Sequence, residues 1–123
     1  MRRGVLFKTK RIAEEWPSAY EPLRYRLAAL AEMVNTQMQK PLTITCLTRT
    51  AEENAKVGGK TDSLHMASPV RAADIRTTTW VAGKPSPLYT TDETMAILMF
   101  WRQGGRGFGG QEEDSHIHVQ VRK

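Results

Sequence analysis

The spacing of apolar residues changes period once in the first half of the chain, and that change fixes the class of fold. Leu23, Leu27, Leu30, Ala31, Val34 and Met38 recur at intervals of three and four, as on one helix face, with Pro22 near the start and Pro41 just past the end. Leu42, Ile44 and Cys46 then recur at intervals of two against threonines in LTITCLT, the pattern of a strand with one buried face. The later elements are equally short. Thr50 with Glu53 has the capping-box spacing, and Gly58-Gly59 stops the helix that AEENAKV begins. AADIRTT predicts a second strand, AGKPSP a Gly/Pro loop, and Thr90 with Glu93 a second capping box. The helix this box opens, ETMAILMFW, is apolar all round and expected to be buried, with Met95, Met99, Phe100 and Trp101 in the core. GGRGFGG reads as a flexible turn before SHIHVQV, an alternating terminal strand. Strands separated by helices but also joined by loops define an α+β fold, with a small, mainly antiparallel sheet and flanking helices.

A chain of 123 residues fits one domain with a real core. Its one cysteine, Cys46, forms no internal disulfide and reads as a small core residue. The formal charge of +5 suits a polyanionic partner such as nucleic acid, a membrane surface or an anionic wall polymer. The basic residues run from Arg2 to Lys123 without clustering, and no nucleic-acid-binding signature accompanies them, so a solvated basic surface is the simpler reading. No apolar stretch is long enough to span a membrane, and the apolar run before Lys8 is far short of a signal-peptide core. The expectation is therefore synthesis in the cytoplasm without an export address. Nothing in the sequence indicates an oligomeric state.

Three histidines occupy two stretches, His65 in SLHMASPVRAADI and His116 and His118 in SHIHVQV. Residues two apart on a strand share a face, so His116, His118 and Gln120 lie opposite Ile117, Val119 and Val121. Two imidazoles side by side suit a metal site or an acid/base pair, and equally an exposed polar sheet face. Asp74 interrupts an otherwise apolar strand and needs a partner, either a cation or backbone amides and Arg71 at a strand end. Taken together, two imidazoles, one carboxylate and a spare imidazole make up the donor set of a hydrolytic zinc site plus a base. Trp80 and Tyr89 bound the Gly/Pro loop and read as packing residues.

The order CLTRTAEENAKVGGKTDSLHMASPVRAADI, then GGRGFGG, then HIHVQV resembles the zinc D-alanyl-D-alanine carboxypeptidases and L-alanyl-D-glutamate endopeptidases of bacteria and phages, over about residues 42–121. The resemblance implies a Hedgehog/DD-peptidase-like fold and hydrolysis of a peptide bond in the peptidoglycan stem peptide. It implies Zn2+ as cofactor, held by His65, Asp74 and His118. His116 would then polarise water or steady the transition state, Arg49 would lie over the site to hold a substrate carboxylate or a developing oxyanion, and Ser63 would orient the first histidine or its loop. A small protein of this kind is similar to phage endolysins and to cell-wall enzymes that act once released to the wall or periplasm. The rival implication is a non-catalytic metal-binding or wall-binding domain of the same fold, such as a virion component.

Two departures from the family pattern stand out. Eight residues separate His65 from Asp74 where the family usually has six, and Ser68, Pro69 and Val70 occupy the region of a usual glycine. The position three before the last ligand, usually acidic, holds Ser115 if His118 is that ligand and Glu113 if it is His116. The preferred arrangement has His116 as base and His118 as ligand, with Asp114 on the His116 face orienting it or serving as base; in the alternative, Glu113 is the base and His116 the ligand.

Overall fold

The computed structural model describes residues 4–122; Arg2 and Lys123, which bound the basic residues, lie outside them. The elements run β1 (Val5–Phe7), α1 (Lys10–Glu15), α2 (Glu21–Met33), β2 (Leu42–Cys46), α3 (Ala51–Lys56), β3 (Ala72–Arg76), β4 (Thr78–Val81), β5 (Lys84–Pro87), α4 (Thr91–Arg102), β6 (Phe108–Glu112) and β7 (His116–Val121). The fold is α+β. Its main sheet has five strands in the order β1-β2-β3-β7-β6, with β1 parallel to β2 and every other pairing antiparallel.

The expected long helix is α2, extended by a wider π turn over Val34–Met38 and ended by Gln39 in a left-handed conformation before Pro41. Leu23, Leu27, Leu30, Ala31 and Val34 are all fully buried, as their spacing predicts. Both capping boxes form: Thr50 accepts from the Glu53 amide and Thr90 from the Glu93 amide, and each glutamate accepts from its threonine's amide in return. The apolar side of the sheet, carrying Ile44, Ala73, Ile75, Ile117, Val119 and Val121, forms one core with α2 and α4.

Four expectations need correction. AGKPSP is no irregular loop but the turn and second strand of a β4–β5 hairpin. Ala82 and Gly83 both have positive φ (51° and 77°), the geometry of a two-residue primed turn, and a ribbon of only two strands tolerates Pro85 and Pro87. Trp80 on this hairpin is exposed, while Tyr89 is buried with its hydroxyl donating to the Pro41 carbonyl. α4 is one-sided: Ile97, Leu98 and Trp101 are buried, but Met95 and Met99 face solvent because only one flank of the helix meets the sheet and α2. The last three residues of GGRGFGG, 108–110, belong to strand β6.

Trp101 is fully buried and its indole N–H donates to the Gln120 carbonyl at 3.2 Å, joining α4 to β7. Trp101→Ala should cost about 3–5 kcal/mol, read as a lowered urea midpoint in the metal-free protein. A midpoint within experimental error of wild type would mean that α4 is not packed as described.

Candidate metal centre

The polar side of the sheet is built by register. Asp74 lies opposite His118 across β3–β7 and opposite Cys46 across β2–β3, while Arg76 faces His116 and Ala72 faces Gln120. Along β7 the burial alternates strictly, with Ile117, Val119 and Val121 in the core and His116, His118 and Gln120 half-buried on the other face. His65 arrives from a short 3₁₀ turn, Leu64–Met66, whose N-cap is Ser63; the Ser63 hydroxyl accepts from the His65 amide at 3.3 Å. Ser63 thus caps the turn that carries His65.

All three imidazoles converge on one atom. Asp74 Oδ1 lies 3.2 Å from His65 Nε2, 3.1 Å from His118 Nδ1 and 3.5 Å from His116 Nε2. Its second oxygen accepts from Arg49 Nη2 at 3.2 Å. Asp74 is 2% exposed and His65 1%, so both are cut off from water. Burial alone would raise the Asp74 carboxyl, but hydrogen bonds from His118 and His65 and the charge around it hold it below the usual carboxylate range. Burial likewise works against a charged His65, yet the contacts with Asp74 and Cys46 prevail and push the imidazole up to about 9.

The outer nitrogens of two rings decide what the inner ones present. His65 Nδ1 lies 2.8 Å from the Leu47 carbonyl, an acceptor only, so this nitrogen carries a hydrogen. His118 Nε2 lies 2.9 Å from Gln120 Oε1, which asks for a hydrogen in the same way. In the neutral rings both lone pairs, His65 Nε2 and His118 Nδ1, therefore face the Asp74 carboxylate. Two imidazole lone pairs and a carboxylate oxygen turned towards one another repel unless a cation or protons lie between them. Outer partners that fix ligand tautomers are the usual support of a metal site, and the donor set fits zinc.

His116 is held differently. Its Nε2 meets Glu113 Oε1 at 2.8 Å and its Nδ1 meets the Ser115 hydroxyl at 3.0 Å, so the ring belongs to a carboxylate–imidazole pair. Asp114, expected beside His116, is exposed and precedes β7; the carboxylate that reaches His116 is Glu113. The strand begins at His116, so the alternation that would have brought Asp114 to that face does not extend to it. Arg49 lies beside Asp74, with its guanidinium on the carboxylate and its amide donating to the His65 carbonyl at 3.0 Å.

Cys46 departs from the core position that its alternation predicts. It is half-buried, with Sγ 3.8 Å from His65 Nδ1, and it forms with His65 and Asp74 a group whose donor atoms lie within 4.8 Å of one another. Simple alternation puts Cys46 in the core beside Leu42 and Ile44. The β2–β3 register shifts between Ile44 and Cys46, and this irregularity turns Cys46 to the polar face. The extra residues before Asp74 do not crowd the centre: Val70 packs into the core, Ser68 and Pro69 are exposed, and residues 66–71 contribute nothing to the cleft.

That cleft, about 640 Å³, opens over the histidines. One wall is the segment Val57–His65, the other the polar side of β6 and β7, with exposed Lys60 and Arg122 on its lining. A mixed sheet carrying a buried carboxylate beneath converging imidazoles, at the floor of an open cleft, has the form of a metal-dependent hydrolase. The chain matches the family model Peptidase M15 over residues 5–120, and it belongs to that family of zinc-dependent metallopeptidases. No curated protein and no solved structure matches it.

Proposed function

We propose that the chain is a zinc-dependent peptidoglycan peptidase, a single catalytic domain that hydrolyses a peptide bond in the murein stem peptide. The bond is of the D-Ala-D-Ala carboxypeptidase or L-Ala-D-Glu endopeptidase type, and the place of action is the cell wall, in phage lysis or wall remodelling. The observation that carries this reading is the convergence of His65 Nε2 and His118 Nδ1 on Asp74 Oδ1, each ring turned by a partner on its far side. These three residues are the ligands. The Cys46 thiol lies on the Nδ1 side of His65, already taken by the Leu47 carbonyl, which favours His118 as the third donor. Bound zinc would supply a polarised scissile carbonyl and a water of lowered pKa.

The remaining steps belong to side chains. His116, backed by Glu113, takes the proton of the attacking water and returns it to the leaving amine. Arg49 engages Asp74 and Asn54 with its two terminal nitrogens, so its first duty is to hold the ligand carboxylate. Lys60 and Arg122, exposed on the cleft lining, suit the carboxylates of an anionic wall peptide.

Zinc-loaded protein incubated with purified peptidoglycan is expected to release new amino groups, and EDTA to stop the release. Mass spectrometry of the fragments identifies the bond. Stoichiometric zinc with intact peptidoglycan would overturn the enzymatic reading in favour of a binding domain.

A further inference from the structure

Asn54 is the buried polar side chain nearest the centre to which the proposed chemistry gives no task. It sits near the end of α3 and is 4% exposed. Its amide nitrogen donates to the Lys60 carbonyl at 2.7 Å, and its Oδ1 accepts from Arg49 Nη1 at 3.4 Å. The other terminal nitrogen of Arg49, Nη2, donates to Asp74 Oδ2. One guanidinium thus bridges Asn54 and the carboxylate on which the imidazoles converge.

The surroundings fix Asn54 in place. The capping box at Thr50 and Glu53 holds the start of α3, and Arg11 grips Glu53 from α1 at 2.7 and 3.0 Å. The Gly59 amide returns to the Asn54 carbonyl at 2.8 Å, and Gly58 takes the positive φ (69°) that the turn needs. Gly59 is glycine for want of room: a Cβ there would overlap the Asn54 side-chain amide. The N-x-x-V-G-G segment therefore carries an amide into a slot where it orients Arg49.

We infer that Asn54 is a positioning residue for the metal-binding carboxylate, acting through Arg49 to hold Asp74 Oδ2 so that Oδ1 stays turned to His65 and His118. This rests on the proposed reading of Asp74 as a zinc ligand. Without the Asn54 acceptor the guanidinium is held on one side only, and its grip on Asp74 Oδ2 loosens. Partners of this kind usually govern metal affinity by about ten- to a hundredfold.

The test is a cycle of zinc affinities, read by competition with a chromophoric chelator, on wild type, Asn54→Ala, Arg49→Met and the double variant. Asn54→Ala should bind zinc at least about tenfold more weakly than wild type. The double variant should bind no more weakly than Arg49→Met alone, since the route through Arg49 is already cut. A general loosening of the fold would instead add in full to the Arg49→Met loss, and that result overturns the inference, as does wild-type affinity in Asn54→Ala. If Asn54→Ala does not fold, Gly59→Ala, which leaves the amide in place but drives it off its line to Arg49, takes its place in the cycle with the same two outcomes. Asp74→Asn separates the two levels: if it keeps wild-type zinc affinity, the ligand assignment itself fails; if it loses zinc while Asn54→Ala does not, only the role of Asn54 fails.

Discussion

Asp74→Asn is expected to lose its zinc and its hydrolytic activity together. The substitution keeps the size of the side chain and removes the negative charge that the Arg49 guanidinium and three imidazoles surround. Plasma emission spectrometry should find well under one zinc per chain at a zinc concentration that saturates wild type. The metal-free protein should suffer as well, because a buried carboxylate removed from its ion pairs leaves their cations uncompensated. For fully buried pairs that loss runs to about 3–5 kcal/mol, and the partial exposure of Arg49, 18% for its side chain, places the expectation near the lower end. The urea midpoint in EDTA measures it. An Asp74→Asn protein with one tightly bound zinc would remove Asp74 from the centre.

The two histidines of β7 should fail in different ways. His118→Ala removes a lone pair aimed at Asp74, so the protein should be depleted of zinc and inactive. His116→Ala removes a ring held by Glu113 and Ser115, so zinc should stay while kcat falls by about a hundred- to ten-thousandfold, the usual worth of a positioned proton carrier. Glu113→Gln should resemble His116→Ala in keeping zinc, with a smaller loss of rate. The reverse pattern, zinc lost with His116 and retained without His118, would exchange the two roles and make Glu113 the base three residues before its ligand.

Strict period was legible in the sequence; departures from period were not. Leu23 to Val34 and the HIHVQV alternation each obey one repeat, and each folds as that repeat dictates. Cys46 was lost because one register shift in β2 reverses which face a residue occupies, and no local residue type announces it. The β4–β5 hairpin was lost because its turn is Ala-Gly instead of the usual Asn-Gly, and because two prolines disguise its second strand. β1 and α1, short pieces with three and six residues, carry too few periods to stand out. In the site, the residue types and their faces could be read, whereas the partners of each ring could not. The carbonyl of Leu47 and the amide of Gln120, which aim the lone pairs of His65 and His118, are placed by backbone paths that only the folded chain defines.

The position of β7 has a bearing on stability. This strand is the farthest along the chain of those described, yet it lies inside the sheet, between β3 and β6. His65 and Asp74 belong to segments that precede it by some forty residues or more, so the proposed donor set is drawn from distant parts of the chain. Under the proposed ligand assignment, a zinc ion held by His65, Asp74 and His118 would tie β7 to the segments on the other side of β3, so metal binding would favour the fully folded sheet.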